Sequence, residues 1–292
     1  MPFMTAVSKP ASWGLCLVLA ADGLVLAAQE EGRVPARTES LVEPLAAGAT
    51  LLVRNRNGGI QVNGWDKDEV GLSAEIRDSE QRRIELVVQR TGPDLDIEAV
   101  FQQPRLSLAL GAAPSPWCRM TLNVPRRLQG HFRTTNGPIA VAGVAGYVRC
   151  ETINGDITLG GIAGEVLADT CNGSLEARGL HARLRGGTAN GRIVLEDVDG
   201  QVNVETGNGS IRARNLDGWG EGISLASTNG PIDLELGRAT GDLLAETDDG
   251  SIRIRVPGCQ VMETGKHRVH VRVPGRNQRI TLVSINGSIQ VH

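Results

Sequence analysis

Hydrophobic and polar positions alternate around a recurring Asn-Gly pair. The pairs Asn136-Gly137, Asn154-Gly155, Asn172-Gly173, Asn190-Gly191 and Asn208-Gly209 follow one another at intervals of 18 residues, and Asn229-Gly230, Asp249-Gly250 and Asn286-Gly287 continue at looser spacing. Apolar or small residues stand four before the Asn (Cys150, Ala168, Gly186, Val204, Leu225, Ala245) and six before it (Val148, Val166, Leu184, Val202, Ile223, Leu243). Thr or Ser stands two before it, from Thr134 and Thr152 to Thr247 and Ser284. After the Asn, aliphatic residues occupy the third position (Ile139, Ile157, Leu175, Ile193, Ile211, Ile232, Ile252, Ile289) and small or aliphatic residues the fifth. Period-two alternation marks strands with one buried face, so each unit predicts two inward-facing strands. Val144, Ile162, Leu180, Val198 and Leu216 predict a corner at the eighth position, and Gly146, Gly164, Gly200 and Gly218 then turn the chain back.

Asn-Gly between strands also signals a two-residue hairpin. The register excludes that reading here, because the same side-chain class returns in the same order in each unit, whereas an antiparallel meander would mirror it. The prediction is an all-β fold, a parallel β-solenoid (β-helix) with coils of about 18–21 residues in which each strand pairs with its copy in the next coil. A left-handed hexapeptide helix needs an aliphatic residue every six, which Ile139, Ala145 and Glu151 do not supply. Stacked Asn side chains, and the Thr/Ser column likewise, are expected to hydrogen-bond along the axis. Six after the Asn, Arg178, Glu196, Arg214, Glu235 and Arg255 alternate in sign, which predicts an ion-pair ladder that supports the register. Three before it, Glu151, Asp169, Glu205 and Glu246 form an acidic column with Arg149 and Arg185 one strand position away. Oxygen-only ligand sets of this kind suit Ca²⁺.

The ends depart from the beat. Strands are expected at 49–53, 60–62, 70–76, 84–88, 95–101 and 120–124, with Asn57-Gly58-Gly59 read as a hairpin and 44–125 as an N-terminal cap that covers the open edge of the first coil. Pro104 and the run 113–116 mark a loop. The solenoid occupies 126–292, with an insertion at 257–279 that caps, hinges or binds before the last coil. His267 and His270 lie on opposite faces of a strand and make a poor metal pair.

Composition adds four points. Aromatics are 3% of the chain and Gly numbers 37, which suits thin stacked strands. A net charge of -3 without a long basic run argues against nucleic-acid binding. The apolar run 15–28 (LCLVLAADGLVLAA) reads as the core of a signal peptide spanning 1–28, followed by a linker at 29–43; no later segment is apolar for long enough to be a membrane helix. Export permits disulfides, and Cys118, Cys150, Cys171 and Cys259 allow three full pairings that sequence does not separate.

Asn57-Gly58-Gly59-Ile60-Gln61-Val62-Asn63-Gly64-Trp65-Asp66, Val124-Pro125 before the regular coils, and the repeated Thr-x-Asn-Gly-x-Ile resemble the bacterial β-strand-repeat adhesin-like family of unknown function. The resemblance covers roughly residues 45 to 292. It implies an exported or envelope-associated β-solenoid and carries no catalytic residues. No GxSxG, HExxH or phosphate-binding glycine loop occurs. The expected function is a non-enzymatic exported envelope protein, adhesin-like or a scaffold, with no cofactor, catalytic or metal-site residue assigned. It would be periplasmic, outer-envelope-associated or extracellular, would bind a protein or glycan surface ligand, and could self-associate through the solenoid ends. The alternative is a Ca-dependent, polysaccharide-lyase-like β-helix enzyme built on the acidic column. Against it, Tyr147 is the one tyrosine, and Trp13, Trp65, Trp117 and Trp219 share no column; Trp219 marks an outward loop in a longer coil.

Overall fold

The structure is a computed structural model that describes residues 35–79, 82–102, 115–218 and 222–292. The expected signal peptide, Pro104, residues 113 and 114 of the expected loop, Trp13 and Trp219 lie outside the described residues. Among the described residues no helix is long and apolar enough to cross a membrane.

Chain order begins with β1 (Arg37–Pro44), β2 (Thr50–Arg54), β3 (Ile60–Trp65), β4 (Glu69–Arg77), β5 (Ile84–Thr91), β6 (Asp94–Phe101) and β7 (Trp117–Pro125). The regular coils follow as β8 (Arg127–Asn136), β9 (Ile139–Ala142), β10 (Ala145–Asn154), β11 (Ile157–Gly160), β12 (Ala163–Asn172), β13 (Leu175–Asn190), β14 (Ile193–Asp199), β15 (Val202–Thr206) and β16 (Ile211–Asp217). The rest are β17 (Ile223–Ser227), β18 (Ile232–Glu235), β19 (Gly241–Thr247), β20 (Ile252–Ile254), β21 (Gln260–Thr264), β22 (Arg268–Val273), β23 (Gln278–Ser284) and β24 (Ile289–Val291).

Two stacks of strands result, one from the segments before each Asn and one from the segments after it. The first runs β5-β6-β2-β8-β10-β12-β13-β15-β17-β23-β19-β22-β21. The second runs β1-β4-β7-β3-β9-β11-β13-β14-β16-β18-β24-β20. β13 serves both, because its two halves join without a break at the Gly179–His181 corner. Pairing is parallel and in register from β6 and β7 to β19 and β20, so Val148 meets Val166, then Leu184, Val202 and Ile223. These columns and the corner residues Val144, Ile162, Leu180, Val198 and Leu216 are buried and form the core. Each buried Val, Leu or Ile contributes about 1.5–3 kcal/mol.

Hydrogen bonds explain why Asn, Gly and Thr recur. The Nδ2 of Asn154, Asn172, Asn190, Asn208, Asn229 and Asn286 each donates to the Oδ1 of the Asn in the preceding layer, at 2.7–3.0 Å. The Thr/Ser column behaves differently from the expectation. Its hydroxyls do not bond one another; each points inward and donates to the glycine carbonyl of the preceding layer, as Thr170 Oγ1 does to Gly155 O at 2.9 Å. Gly173 is required for close approach: a Cβ there would lie 2.0 Å from Gly155 O.

Four expectations at the ends are corrected. Asn57-Gly58-Gly59 is a coil corner, not a hairpin: β2 pairs with β6 and β8, β3 pairs with β7 and β9, and Asn57 bridges Asn136 in parallel. The solenoid therefore begins inside the segment read as a cap, and only β1, β4 and β5 pair antiparallel beyond it. Residues 37–43, expected as linker, belong to β1. At the other end the last coil in sequence is not the last in space. β23 and β24 slot between the coil of β17 and β18 and that of β19 and β20, and the 257–279 insertion supplies the β21–β22 hairpin that covers β19.

Candidate binding faces

The first stack presents a flat outer face built from positions five, three and one before each Asn. In the acidic column, Glu151 sits directly beside Asp169, Gly187 separates Asp169 from Glu205, and Ala226 and Val283 separate Glu205 from Glu246. At about 4.8 Å per strand, Glu246 stands some 14 Å from Glu205. The four carboxylates do not converge, and among the described residues no group of three or more His, Cys, Asp and Glu is placed to hold a metal. Arg149 donates to Glu151, and Arg268 pairs with Glu246 at 3.2 Å. The Asp169 side chain reaches solvent, yet the neighbouring strands strip enough water from it to push its pKa above the ordinary carboxylate value, with Glu151 adding to the effect. A shallow groove of about 490 Å³ runs past Asp169 and Glu205 over the small residues Gly187, Ala189, Gly207 and Ala226.

Toward β2 this face becomes a charged network. Arg54 reaches Asp96 at 2.8 Å and Glu98 at 2.7 Å. His131 packs against Tyr147 with ring centres 5.4 Å apart, and partial burial followed by the charge of Arg149 lowers its pKa. On the second stack, Arg178–Glu196 closes at 3.1 Å and Arg214–Glu235 at 3.8 Å. The alternation then ends, because the final coil separates Glu235 from Arg255: Arg255 N bonds Val291 O, and His292 N bonds Leu234 O. Exposed pairs of this kind are worth about 0–1 kcal/mol each and act mainly on register. His267 Nδ1 lies 3.2 Å from Thr247 O and His270 Nε2 3.8 Å from Asp242, so the two histidines face different partners.

One concavity escaped the sequence reading. A notch of about 630 Å³ opens on the second stack at the β7–β3–β9 step, where Gly58 and Gly59 lead into the middle strand without side chains. Trp117 stands on the β7 side, with the guanidinium carbons of Arg77 and Arg119 each 5.3 Å from its ring centre. Pro138 stands on the β9 side, and its carbonyl accepts from Ile60 N at 2.9 Å. The glycine pair after Asn57 is the available signal in the sequence, and as a hairpin it predicts no concavity. Trp65 is engaged locally: its Nε1 donates to Glu69 O at 2.8 Å and Lys67 lies over its ring. All four described cysteines are free thiols, with Cys118 and Cys150 buried.

A two-stack parallel solenoid locked by Asn, Thr and Gly columns defines the class of protein. Residues 54–292 match the Toastrack family DUF4097, and the chain belongs to that family. No curated protein matches it. Among solved structures, a candidate lipid-binding protein from Parabacteroides distasonis is 16% identical, with 89% of this chain and 98% of that one covered and a TM-score of 0.49. A candidate adhesin from Bacteroides fragilis is 13% identical over 88% and 97%, with a TM-score of 0.43. A candidate cell adhesion protein from Clostridium sporogenes is 10% identical over 87% and 99%, with a TM-score of 0.25. At these identities and scores the likenesses carry no inference about function.

Proposed function

We propose that this chain is a non-enzymatic exported envelope protein, an adhesin-like or scaffold β-solenoid that presents its outer faces for binding. The observation that carries the reading is the uninterrupted outer face of the first stack, on which ionic and small side chains repeat at one strand spacing. Such a surface offers many equivalent contacts and suits an extended partner better than the chemistry of one small molecule. Export is supported by the apolar run 15–28. Protease treatment of intact cells, followed by immunoblotting, tests the reading. Degradation without lysis places the solenoid outside the cell. Protection until the outer envelope is opened removes the adhesin role and leaves a periplasmic scaffold.

A second reading, a Ca-dependent glycan-active enzyme, draws on the side-by-side Glu151 and Asp169 carboxylates. A cation that neutralised them would bind the native state and raise the melting temperature. A melting temperature indifferent to added Ca²⁺ removes this reading.

A further inference from the structure

The amide ladder that runs through the solenoid is open at its N-terminal step, and that step lies in the Trp117 notch. Ladder bonds have a direction, each Nδ2 donating toward the N-terminal end. Asn136 accepts at Oδ1 from Asn154 and so directs its own Nδ2 toward Asn57. Asn57 is its strand partner, but its side chain is turned aside: its Nδ2 donates to Pro116 O at 2.7 Å. Among the described residues, Asn136 Nδ2 donates no hydrogen bond and Asn57 Oδ1 accepts none. The notch therefore holds one amide donor and one amide acceptor, the complement of a single secondary amide.

Its walls narrow the ligand further. Trp117 and Pro138 flank the glycine floor from strands two spacings apart, about 9.5 Å. An aromatic ring and a proline ring are apolar surfaces on which the C–H face of a sugar packs, and exposed Gln61 adds a polar amide at the rim. Arg119 pairs with Glu75 at 2.8 Å, so its guanidinium is already engaged at the rim. The cleft volume falls within the range of small-ligand sites.

We infer that this notch binds an N-acetylhexosamine unit of a glycan, whose acetamido group closes the open ladder step. Its N–H donates to Asn57 Oδ1 and its C=O accepts from Asn136 Nδ2, while the pyranose packs against Trp117 and Pro138. The inference deepens the binding-protein reading and rests on it.

The test is titration of the full chain with chitotriose, a trimer of N-acetylglucosamine, against cellotriose, the same backbone without acetamido groups, followed by tryptophan fluorescence and calorimetry. Chitotriose should bind saturably with Kd on the order of 10⁻⁴ M, and cellotriose about tenfold more weakly or worse. Asn136→Ala should lose about tenfold in chitotriose affinity, whereas Asn208→Ala, which breaks the same ladder far from the notch, should lose none. Trp117→Ala should abolish binding, with its melting temperature recorded alongside; if it does not fold, the Asn136 and Asn208 pair decides. Equal affinity for the two trimers, no saturation by about 10 mM, or equal losses in both Asn variants overturns the inference. Capture of a proline-rich peptide in the notch in place of either sugar also overturns it. Cell-surface exposure by protease is independent of these outcomes, so a failed titration with a surface-exposed protein removes the sugar site alone.

Discussion

The tightest constraint in the fold is the stacked glycine after each Asn, and two substitutions expose it with opposite signs. Gly173→Ala places a Cβ 2.0 Å from Gly155 O and 2.5 Å from its carbon. Real Cβ contacts stay beyond 3.0 Å, so adjacent layers must part by about 1 Å. The flanking bonds Gly155 N to Asn172 O (3.1 Å) and Ile157 N to Ser174 O (2.9 Å) would then pass the length at which a hydrogen bond survives. Two backbone pairs left unmade at about 1–3 kcal/mol each, with partial relaxation, give a loss of about 2–5 kcal/mol. For a domain of this size that lowers Tm by about 4–20 °C. Gly160→Ala is the matched control. Its Cβ would meet nothing nearer than Ala142 Cβ at 4.0 Å, and its φ lies outside the left-handed region. Alanine there restricts the unfolded chain and should stabilise by about 0.4–1 kcal/mol. Urea unfolding followed by far-UV circular dichroism measures both. A Gly173→Ala loss below about 0.5 kcal/mol, or changes of the same sign in the two variants, would refute the stacking argument.

Three further outcomes are expected. Thr170→Val removes the hydroxyl that donates to Gly155 O and should cost about 1–2 kcal/mol in the same urea assay, with no change in far-UV spectrum. Asp169 has a folded pKa above its unfolded value of 3.8, so the protonated form is favoured by folding. The associated stability is fully present below that value and is lost as pH rises through the raised pKa, and Asp169→Asn should therefore be more stable than wild type at pH 7, with the gap closing as pH falls through the raised pKa to 3.8; a pH-independent gap would contradict the assignment. Burial pushes the Cys118 thiol up to about 12 and raises that of Cys150 as well, so iodoacetamide on the native protein should leave both unmodified by mass spectrometry while exposed Cys171 is alkylated.

Much of this fold was legible because each layer repeats the same physical demand. A side chain that must face the core does so in every coil, so Val148, Val166 and Leu184 announce one column together. Layer order at the C-terminal end was not legible from that signal, since the Asp249 and Asn286 coils satisfy the same column rules. The ladder needs each member to donate toward the preceding one, and an ionised Asp has no proton to give. Side-chain donation does not separate the two orders either, since Asp249 breaks one ladder bond in each; it stands outside Asn286 with its N–H bonded to Ile285 O, and the amide ladder ends at Asn286. The notch was missed for a related reason. Side-chain types show that Asn57 belongs to the column, but not that Pro116 diverts its amide, because that contact joins residues distant in sequence.

The expected self-association through the solenoid ends can be sharpened by the same edge logic. An open stack end offers unpaired backbone to another copy unless something blunts it. On β1 the side chains that face inward are Arg37, Glu39, Leu41 and Glu43, set opposite Ile76, Ala74, Leu72 and Val70 of β4, so three of four inward positions are charged where a new layer would need apolar ones. On β21 the register shifts between Val261 and Glu263, and such a bulge twists the edge away from further pairing. β20 carries neither device. Its half-buried Ile252 and Ile254 face the end of the core, and its one ladder partner is β24. Association through the ends of the second stack, measured by sedimentation velocity, should therefore be carried by β20 and be lost in Ile254→Lys, which places a charge at that end of the core. Association that survives in that variant would refute the assignment to β20 and place the contact at β5, the other end of the first stack, or at a blunted edge.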